Sequence, residues 1–251
     1  SIEQILQKAK LESLDLQQPD FSPTVVFRSP HHSSTKASIF GGGSLNAKMG
    51  EIALANNGIL FFDEIPHYSK NVLEALREPL EDYKILISRV NSKVLYPTKF
   101  LFIAAMNPCP CGNLLKSTKE CRCSDLEVKN YKSKLSEPFY DRIDIFVTMN
   151  EVNFNDSANI SSKELYSKIL NAFILQKKRG QKELNGKLSD DEIKRFCKLD
   201  AITNDVLNQA IVNFDLSFRA INKIIKVSRT IADLDSSKTI LKKHLLQVLL
   251  D

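Results

Sequence analysis

The sequence predicts an α/β unit followed by an all-helical unit. Short apolar runs of β-forming residues, Gly58–Phe62 and Phe100–Ala105, alternate with helical and polar stretches in the first 150 residues. From about Ser161 onward only helical periodicity remains. The runs 161–179, 189–198, 202–214, 217–233 and 239–250 each carry apolar residues at i, i+3 and i+4. The stretch between is polar and rich in asparagine (Asn150, Asn153, Asn155, Asn159), which suits a linker and places the expected domains at 1–150 and 151–251.

The elements of the first part follow in order. Ile2, Ile5, Leu6, Ala9 and Leu11 lie at helical spacing and predict a helix over Ile2–Leu14. Val25, Val26 and Phe27, bounded by Pro23 and Pro30, predict a short strand over Thr24–Arg28. Gly41-Gly42-Gly43 predicts a flexible loop. Gly58-Ile59-Leu60-Phe61-Phe62 has the length and residue type of a buried parallel strand. Asn71–Leu80 predicts a helix with Val72, Leu73, Leu76 and Leu80 on one side. Lys84–Ser88 and Lys93–Tyr96 predict a hairpin turning through Arg89-Val90-Asn91-Ser92. Phe100–Ala105 predicts a second buried strand and Ile143–Met149 a third.

Composition narrows the classes. With 251 residues, 43% apolar and 26% charged, the chain can bury a core of its own. No apolar run approaches the ~20 residues that span a bilayer, and no charged-then-apolar leader marks secretion. Five cysteines, an odd number, suit a reduced, cytoplasmic setting better than a disulfide framework. The net charge of +5 permits nucleic-acid binding without requiring it. The start at Ser1-Ile2, without Met, predicts a piece of a longer protein.

The residues that carry chemistry stand at strand ends. Asp63 and Glu64 follow Gly58–Phe62 directly, which places two carboxylates at the carboxyl edge of the sheet, where open α/β folds bind ligands. In phosphoryl transfer the first acid holds Mg²⁺, usually through water, and the second orients or deprotonates the attacking water. The plainer alternative is a solvated strand end. Asn107 closes the next strand, where an amide can position the same water. Arg142 precedes the expected third strand and can stabilise charge at a neighbouring subunit's phosphate; its alternative is a salt bridge with Asp141 or Asp144. Arg219 lies in Ser217-Phe218-Arg219-Ala220 at a helix start, with a solvated helix arginine as its alternative.

The order of these segments resembles a known family. Phe27-Arg28-Ser29-Pro30-His31-His32, Gly41-Gly42-Gly43, Gly50-Glu51 through Gly58, Leu76-Arg77-Glu78-Pro79-Leu80-Glu81-Asp82, Ile87-Ser88-Arg89, Ala105 through Gly112 and Arg229 through Leu234 together resemble the magnesium-chelatase-like AAA+ ATPases of the ComM/YifB type. The resemblance implies a P-loop α/β/α core with a helical lid, a hexameric ring when active, ATP and Mg²⁺ as the nucleotide and its metal, and helicase-like branch migration of DNA. It further implies Asp63 and Glu64 as the Walker B pair, Asn107 as the sensor-1 residue, Arg142 as the arginine finger and Arg219 as the sensor-2 arginine. His31 and His32 fall in the family's strand-end motif, which favours packing or relaying the nucleotide state over metal binding.

One departure from the pattern is equally informative. No G-x-x-x-x-G-K-[ST] occurs among the 251 residues, so the loop that cradles the phosphates is not in this sequence. The expected consequences are an incomplete P-loop core, lacking the loop and the strand before it, weak nucleotide affinity, and no ATP hydrolysis by this chain alone.

Two further groups of residues are candidates. Cys109-Pro110-Cys111 and Cys121-Arg122-Cys123 are separated by nine residues, and four thiolates in two close pairs can hold a structural Zn²⁺. The alternatives are reduced surface thiols or a disulfide. Lys48 in the Gly41–Gly50 loop, with Lys84, Arg89 and Lys93 on the hairpin, are candidate contacts to nucleic-acid phosphate, or else a solvated turn. Cys197 reads as a small core residue and Lys177-Lys178-Arg179 as a basic helix end that complements the dipole. Besides a DNA motor, two readings stay open: a chelatase-like ATPase that remodels a protein or inserts metal, and a non-catalytic oligomerisation module.

Overall fold

Alternation along Ile59–Phe62 decides how the first part of the chain is built. The computed structural model describes residues 1–15, 18–42, 48–89, 92–149 and 156–250, with the backbone alone at 48, 88, 89 and 92. It divides into two compact units, Ser1–Ile143 and Asp144–Asp251. In the first the order is α1 (Ile2–Leu14), β1 (Phe27–Arg28), α2 (Lys36–Phe40), β2 (Gly41–Gly42), β3 (Lys48–Met49), α3 (Glu51–Leu54), β4 (Ile59–Phe62), α4 (Lys70–Ala75), α5 (Arg77–Asp82), β5 (Lys84–Arg89), β6 (Ser92–Pro97), β7 (Leu101–Ala104), α6 (Asp125–Lys132) and α7 (Glu137–Tyr140).

β4 is the centre of a three-stranded parallel sheet, β1-β4-β7, with Phe27 opposite Ile59 and Ile59 to Phe62 opposite Leu101 to Ala104. The β1 side approaches closely. A Cβ on Gly58 would lie 2.3 Å from the Val26 carbonyl oxygen, the same oxygen that accepts the Ile59 N–H at 2.8 Å. Only glycine fits there.

One face of the sheet is sealed. Leu60 and Phe62 are fully buried with Ile39, Ile52, Val72, Leu76 and Phe139. Phe62 stacks on Tyr68 (centroids 4.3 Å apart) and meets Phe102 edge-on, which in turn meets Phe139. The other face is open: Phe27, Leu101 and Ile103 keep 59%, 60% and 41% of their surface exposed. The expectation of two fully buried strands is therefore corrected. A parallel sheet of this composition needs cover on both faces, and the described residues supply it on one.

Three further expectations change. The Asn71–Leu80 helix is two helices, α4 and α5, meeting at Leu76. Pro79 has no N–H for the Ala75 carbonyl and its ring crowds that turn, so the ladder breaks there. Ile143–Met149 forms no strand. Ile145, Phe146, Val147 and Met149 are strand formers, but a strand requires a ladder partner and no described strand pairs with them. Gly41-Gly42, expected as loop, pairs antiparallel with Lys48-Met49; Gly43 lies outside the described residues. The hairpin forms as expected, with six paired positions and Ile85, Ile87 and Tyr96 turned into the core. Its turn residues, Val90 and Asn91, lie outside the described residues.

The second unit contains α8 (Ser162–Lys178), α9 (Asp190–Phe196), α10 (Ala201–Phe214), α11 (Phe218–Leu234) and α12 (Lys242–Leu250). Local sequence starts several of the helices. Ser161 with Glu164 and Ser189 with Glu192 form reciprocal capping boxes, as Ser1 with Gln4 and Ser124 with Glu127 do in the first unit. Leu188, Ile193, Cys197, Ala232 and Ile240 make an apolar cluster. Beside it lies a buried polar centre. The Asp233 carboxylate accepts from Arg229 Nη2 (2.9 Å), Asn185 Nδ2 (2.8 Å) and the Arg179 guanidinium. Arg179, expected to serve the helix dipole, is spent on this pair. No helix among the described residues is long and apolar enough to cross a membrane.

Because Asp233 is buried and faces two guanidinium groups, its removal leaves uncompensated cations. Asp233→Ala is expected to lower the unfolding free energy of the helical unit by ~3–5 kcal/mol, read from urea denaturation followed by far-UV circular dichroism.

Candidate active site

β4 and β7 run parallel in register, so they end at the same edge of the sheet. Asp63 and Glu64 follow β4; Ala105, Met106 and Asn107 follow β7. The ladder continues past the strands, with Ala105 N–H donating to the Phe62 carbonyl (2.9 Å) and Ile65 N–H to the Ala105 carbonyl (3.0 Å). Between those two bonds the chain bulges outward. Glu64 takes a left-handed conformation (φ 49°, ψ 46°), and its N–H donates to Asp63 Oδ1 at 2.9 Å. Both carboxylates are exposed. A β-carbon in that region costs ~1 kcal/mol, which the flanking bonds enforce; such retained strain is typical of working positions.

Aromatic and histidine rings surround the pair. Tyr68 donates its hydroxyl to the Pro30 carbonyl at 2.5 Å; burial first, and then the Asp63 charge, push its pKa up to about 12. His32 Nε2 stands 4.0 Å from Glu64 Oε2, with the His31 ring 4.1 Å and the His67 ring 5.8 Å from its own. Tyr131, on α6, is buried and hydrogen-bonded to the backbone N–H of Asn107. Burial raises its pKa, and the Glu64 carboxylate lies near enough to add to the rise. Tyr131 thus ties the Asn107 end of β7 to the Glu64 end of β4. The residue-by-residue reading missed it, although the Ser124-x-x-Glu127 box announces its helix.

The remaining candidates separate. The Arg142 guanidinium is bound to Glu81, on α5, and to the Pro138 carbonyl, with 9% of its side chain exposed. It is turned into its own unit. Arg219 belongs to the second unit, where it is exposed at the second position of α11 behind the Ser217 cap. A cation in a first helical turn gains nothing from the helix dipole.

The candidate nucleic-acid contacts also separate. Lys93 is opposite Ser88, near the hairpin's turn, whereas Lys84 is opposite Pro97 at its base. Four strand residues separate the two levels, ~14 Å, so the two lysines do not share one tip. Both lysines are exposed. The side chains of Lys48 and Arg89 lie outside the described residues.

The four cysteines of the loop after β7 come together. Cys109, Cys111 and Cys121 Sγ atoms are 3.4, 3.7 and 3.6 Å apart, and with Cys123 all four lie within 4.8 Å of one another. Backbone N–H groups of Asn113 and Arg122 point at Cys111 Sγ and hold its pKa down, at about 6.

A groove of about 620 Å³ in the first unit is lined by Val128, Lys132, Leu135 and Tyr140 and does not contain Asp63, Glu64 or Asn107. The carboxylates stand on open surface. Their exposed oxygens are hard donors suited to Mg²⁺, directly or through water. The amides and lysine that would hold a triphosphate are not among these residues. The fit to a nucleotide is therefore to its metal and its hydrolytic water, and not to its phosphates.

A parallel α/β sheet with an acid pair at one strand tip and an amide at the next, followed by a helical unit, is the arrangement of the AAA+ class of P-loop folds. Comparison with known proteins agrees. Residues 1–157 match the family described as magnesium chelatase, subunit ChlI, and residues 159–249 match that subunit's C-terminal family. The chain belongs to the magnesium chelatase subunit ChlI family. It is 40% identical over 228 residues to competence protein ComM of Haemophilus influenzae, covering 89% of this chain and 44% of that protein. It is 38% identical over 224 residues to the uncharacterized protein YifB of Escherichia coli, covering 87% and 44%. The chain thus spans less than half the length of these curated relatives.

Since glycine occupies the left-handed region without penalty, Glu64→Gly is expected to stabilise the first unit by ~0.5–1 kcal/mol, seen as a higher urea midpoint. A lower midpoint would show that Glu64 is a structural residue.

Proposed function

We propose that the first unit carries the hydrolytic half of a AAA+ ATPase site, and that hydrolysis drives remodelling or branch migration of DNA. The observation that supports this best is the in-register ending of β4 and β7, which brings the segments carrying Asp63, Glu64 and Asn107 to the same carboxyl edge of the sheet, where open α/β folds bind ligands. Asp63 holds Mg²⁺ through water. Glu64, already pushed out of the strand path, orients and deprotonates the attacking water, and Asn107 positions that water from the other side. Arg142 acts as the finger toward a neighbouring subunit's nucleotide once it leaves Glu81, and Arg219 senses the nucleotide from the helical unit. The assembly is a homohexameric ring in the cytoplasm, with Lys48, Arg89, Lys93 and Lys84 toward DNA phosphate.

A non-catalytic module is the second reading, favoured for this chain alone by the missing G-x-x-x-x-G-K-[ST]. The 251-residue chain is expected to show no ATPase activity above background, and measurable turnover by it would contradict the assigned need for the loop. In a protein that joins this chain to a Gly-rich Lys-Ser/Thr loop, Glu64→Gln is expected to cut kcat at least ~100-fold while nucleotide still binds. An unchanged kcat removes Glu64 from the chemistry. The same protein is expected to bind single-stranded DNA with an affinity that falls steeply as salt rises. No binding at low salt would leave a chelatase-like motor acting on protein or metal as the better reading.

A further inference from the structure

The loop between β7 and α6 holds a side-chain cluster that the hydrolytic reading does not use. We propose that Cys109, Cys111, Cys121 and Cys123 bind one zinc ion, and that this metal fixes the tip of β7, holding Asn107 in place through Gly112 and Tyr131.

The sulfur positions argue for a shared centre. Four sulfurs on a tetrahedron with Zn–S of ~2.3 Å lie ~3.8 Å apart. The three measured separations are 3.4, 3.7 and 3.6 Å, nearly an equilateral face, and Cys123 completes the group within 4.8 Å. Disulfides would instead draw the sulfurs together two by two, at ~2.05 Å. Backbone N–H groups also reach three of the sulfurs. Asn113 and Arg122 N–H donate to Cys111, Cys123 N–H to Cys121, and Cys111 N–H to Cys123. A zinc tetrathiolate carries two negative charges, and the same loop contains three cations, Lys116, Lys119 and Arg122. With four protein ligands no position is left for water or substrate, so the role is structural.

The loop needs such a centre. Residues 109–123 contain no helix or strand, and Leu114 and Leu115 are exposed, so little apolar burial opposes the entropy of ordering them. Both ends of the loop reach Asn107. Cys109 lies two residues after it. Gly112 backs onto its side chain, since a Cβ there would sit 3.9 Å from Asn107 Cγ and Oδ1. Ser124, next to Cys123, caps α6, and α6 carries the Tyr131 that accepts the Asn107 N–H. Asn107 matters for hydrolysis only under the reading proposed above; the metal and the backbone contact stand without it.

The test reads metal and backbone, not activity. The chain purified with reductant is expected to hold about one zinc by elemental analysis, and less than about a tenth of an equivalent overturns the site. Cobalt replacement is expected to give the intense visible bands of a tetrahedral tetrathiolate, weakened and shifted in Cys121→Ser. Unchanged bands in that variant would remove Cys121 from the ligand set. Stripping zinc from the unaltered chain with a chelator is expected to speed hydrogen exchange at the Asn107 amide at least ~10-fold while the β4 amides keep their protection. Unchanged exchange at Asn107, or equal loss at β4, overturns the link to the strand tip. Tyr131→Phe is expected to speed exchange at Asn107 without loss of zinc, and a zinc-depleted Tyr131→Phe would overturn the order of dependence.

Discussion

The backbone pairing of β4 with β7 is the constraint on which the candidate site depends. Four residue pairs in parallel register, continued by the Ala105 and Ile65 bonds, force both strands to end at one level. Asp63 and Glu64 must then leave the ladder together, and Glu64 takes the left-handed conformation that lets the chain rejoin at Ile65. A register slip of one residue would turn Leu60 and Phe62 out of the core, so apolar burial secures the same alignment that places the carboxylates. Stability and site geometry rest on one set of hydrogen bonds.

Exposed apolar residues mark both the open face of the sheet and the segment 145–149. Phe27, Leu101 and Ile103 are paired in the sheet but keep much of their surface exposed, and Ile145, Phe146 and Val147 are exposed strand formers outside any described strand. Contiguous apolar surface of that kind marks contact surface. The Asp63 and Glu64 carboxylates likewise stand on open surface.

Charged residues had the roles that sequence order foretold least well. Arg229 and Asp233 belong to a stretch quoted for family resemblance, and they prove to be the buried polar centre of the helical unit. Arg179, at a basic helix end, joins them. Arg142 is bound by Glu81, 61 positions away in the chain. A formal charge in a sequence says that a partner is needed; which partner depends on which faces meet.

Much of the fold was legible in the chain itself. Helices α1 and α8–α12, the hairpin and the type of β4 and β7 follow from periodicity and capping, because residues three, four or two apart are brought onto one face by backbone geometry alone. The strand-end positions of Asp63, Glu64 and Asn107 and the close spacing of the cysteines were legible for the same local reason. Tertiary structure alone decided that Tyr131 joins Asn107 to the neighbourhood of Glu64, that Lys84 stands at the base of its hairpin, that the sheet is covered on one side, and that three cysteine sulfurs lie nearly equidistant. Those facts depend on contacts between residues distant in sequence, and no local periodicity encodes which surface a side chain will meet.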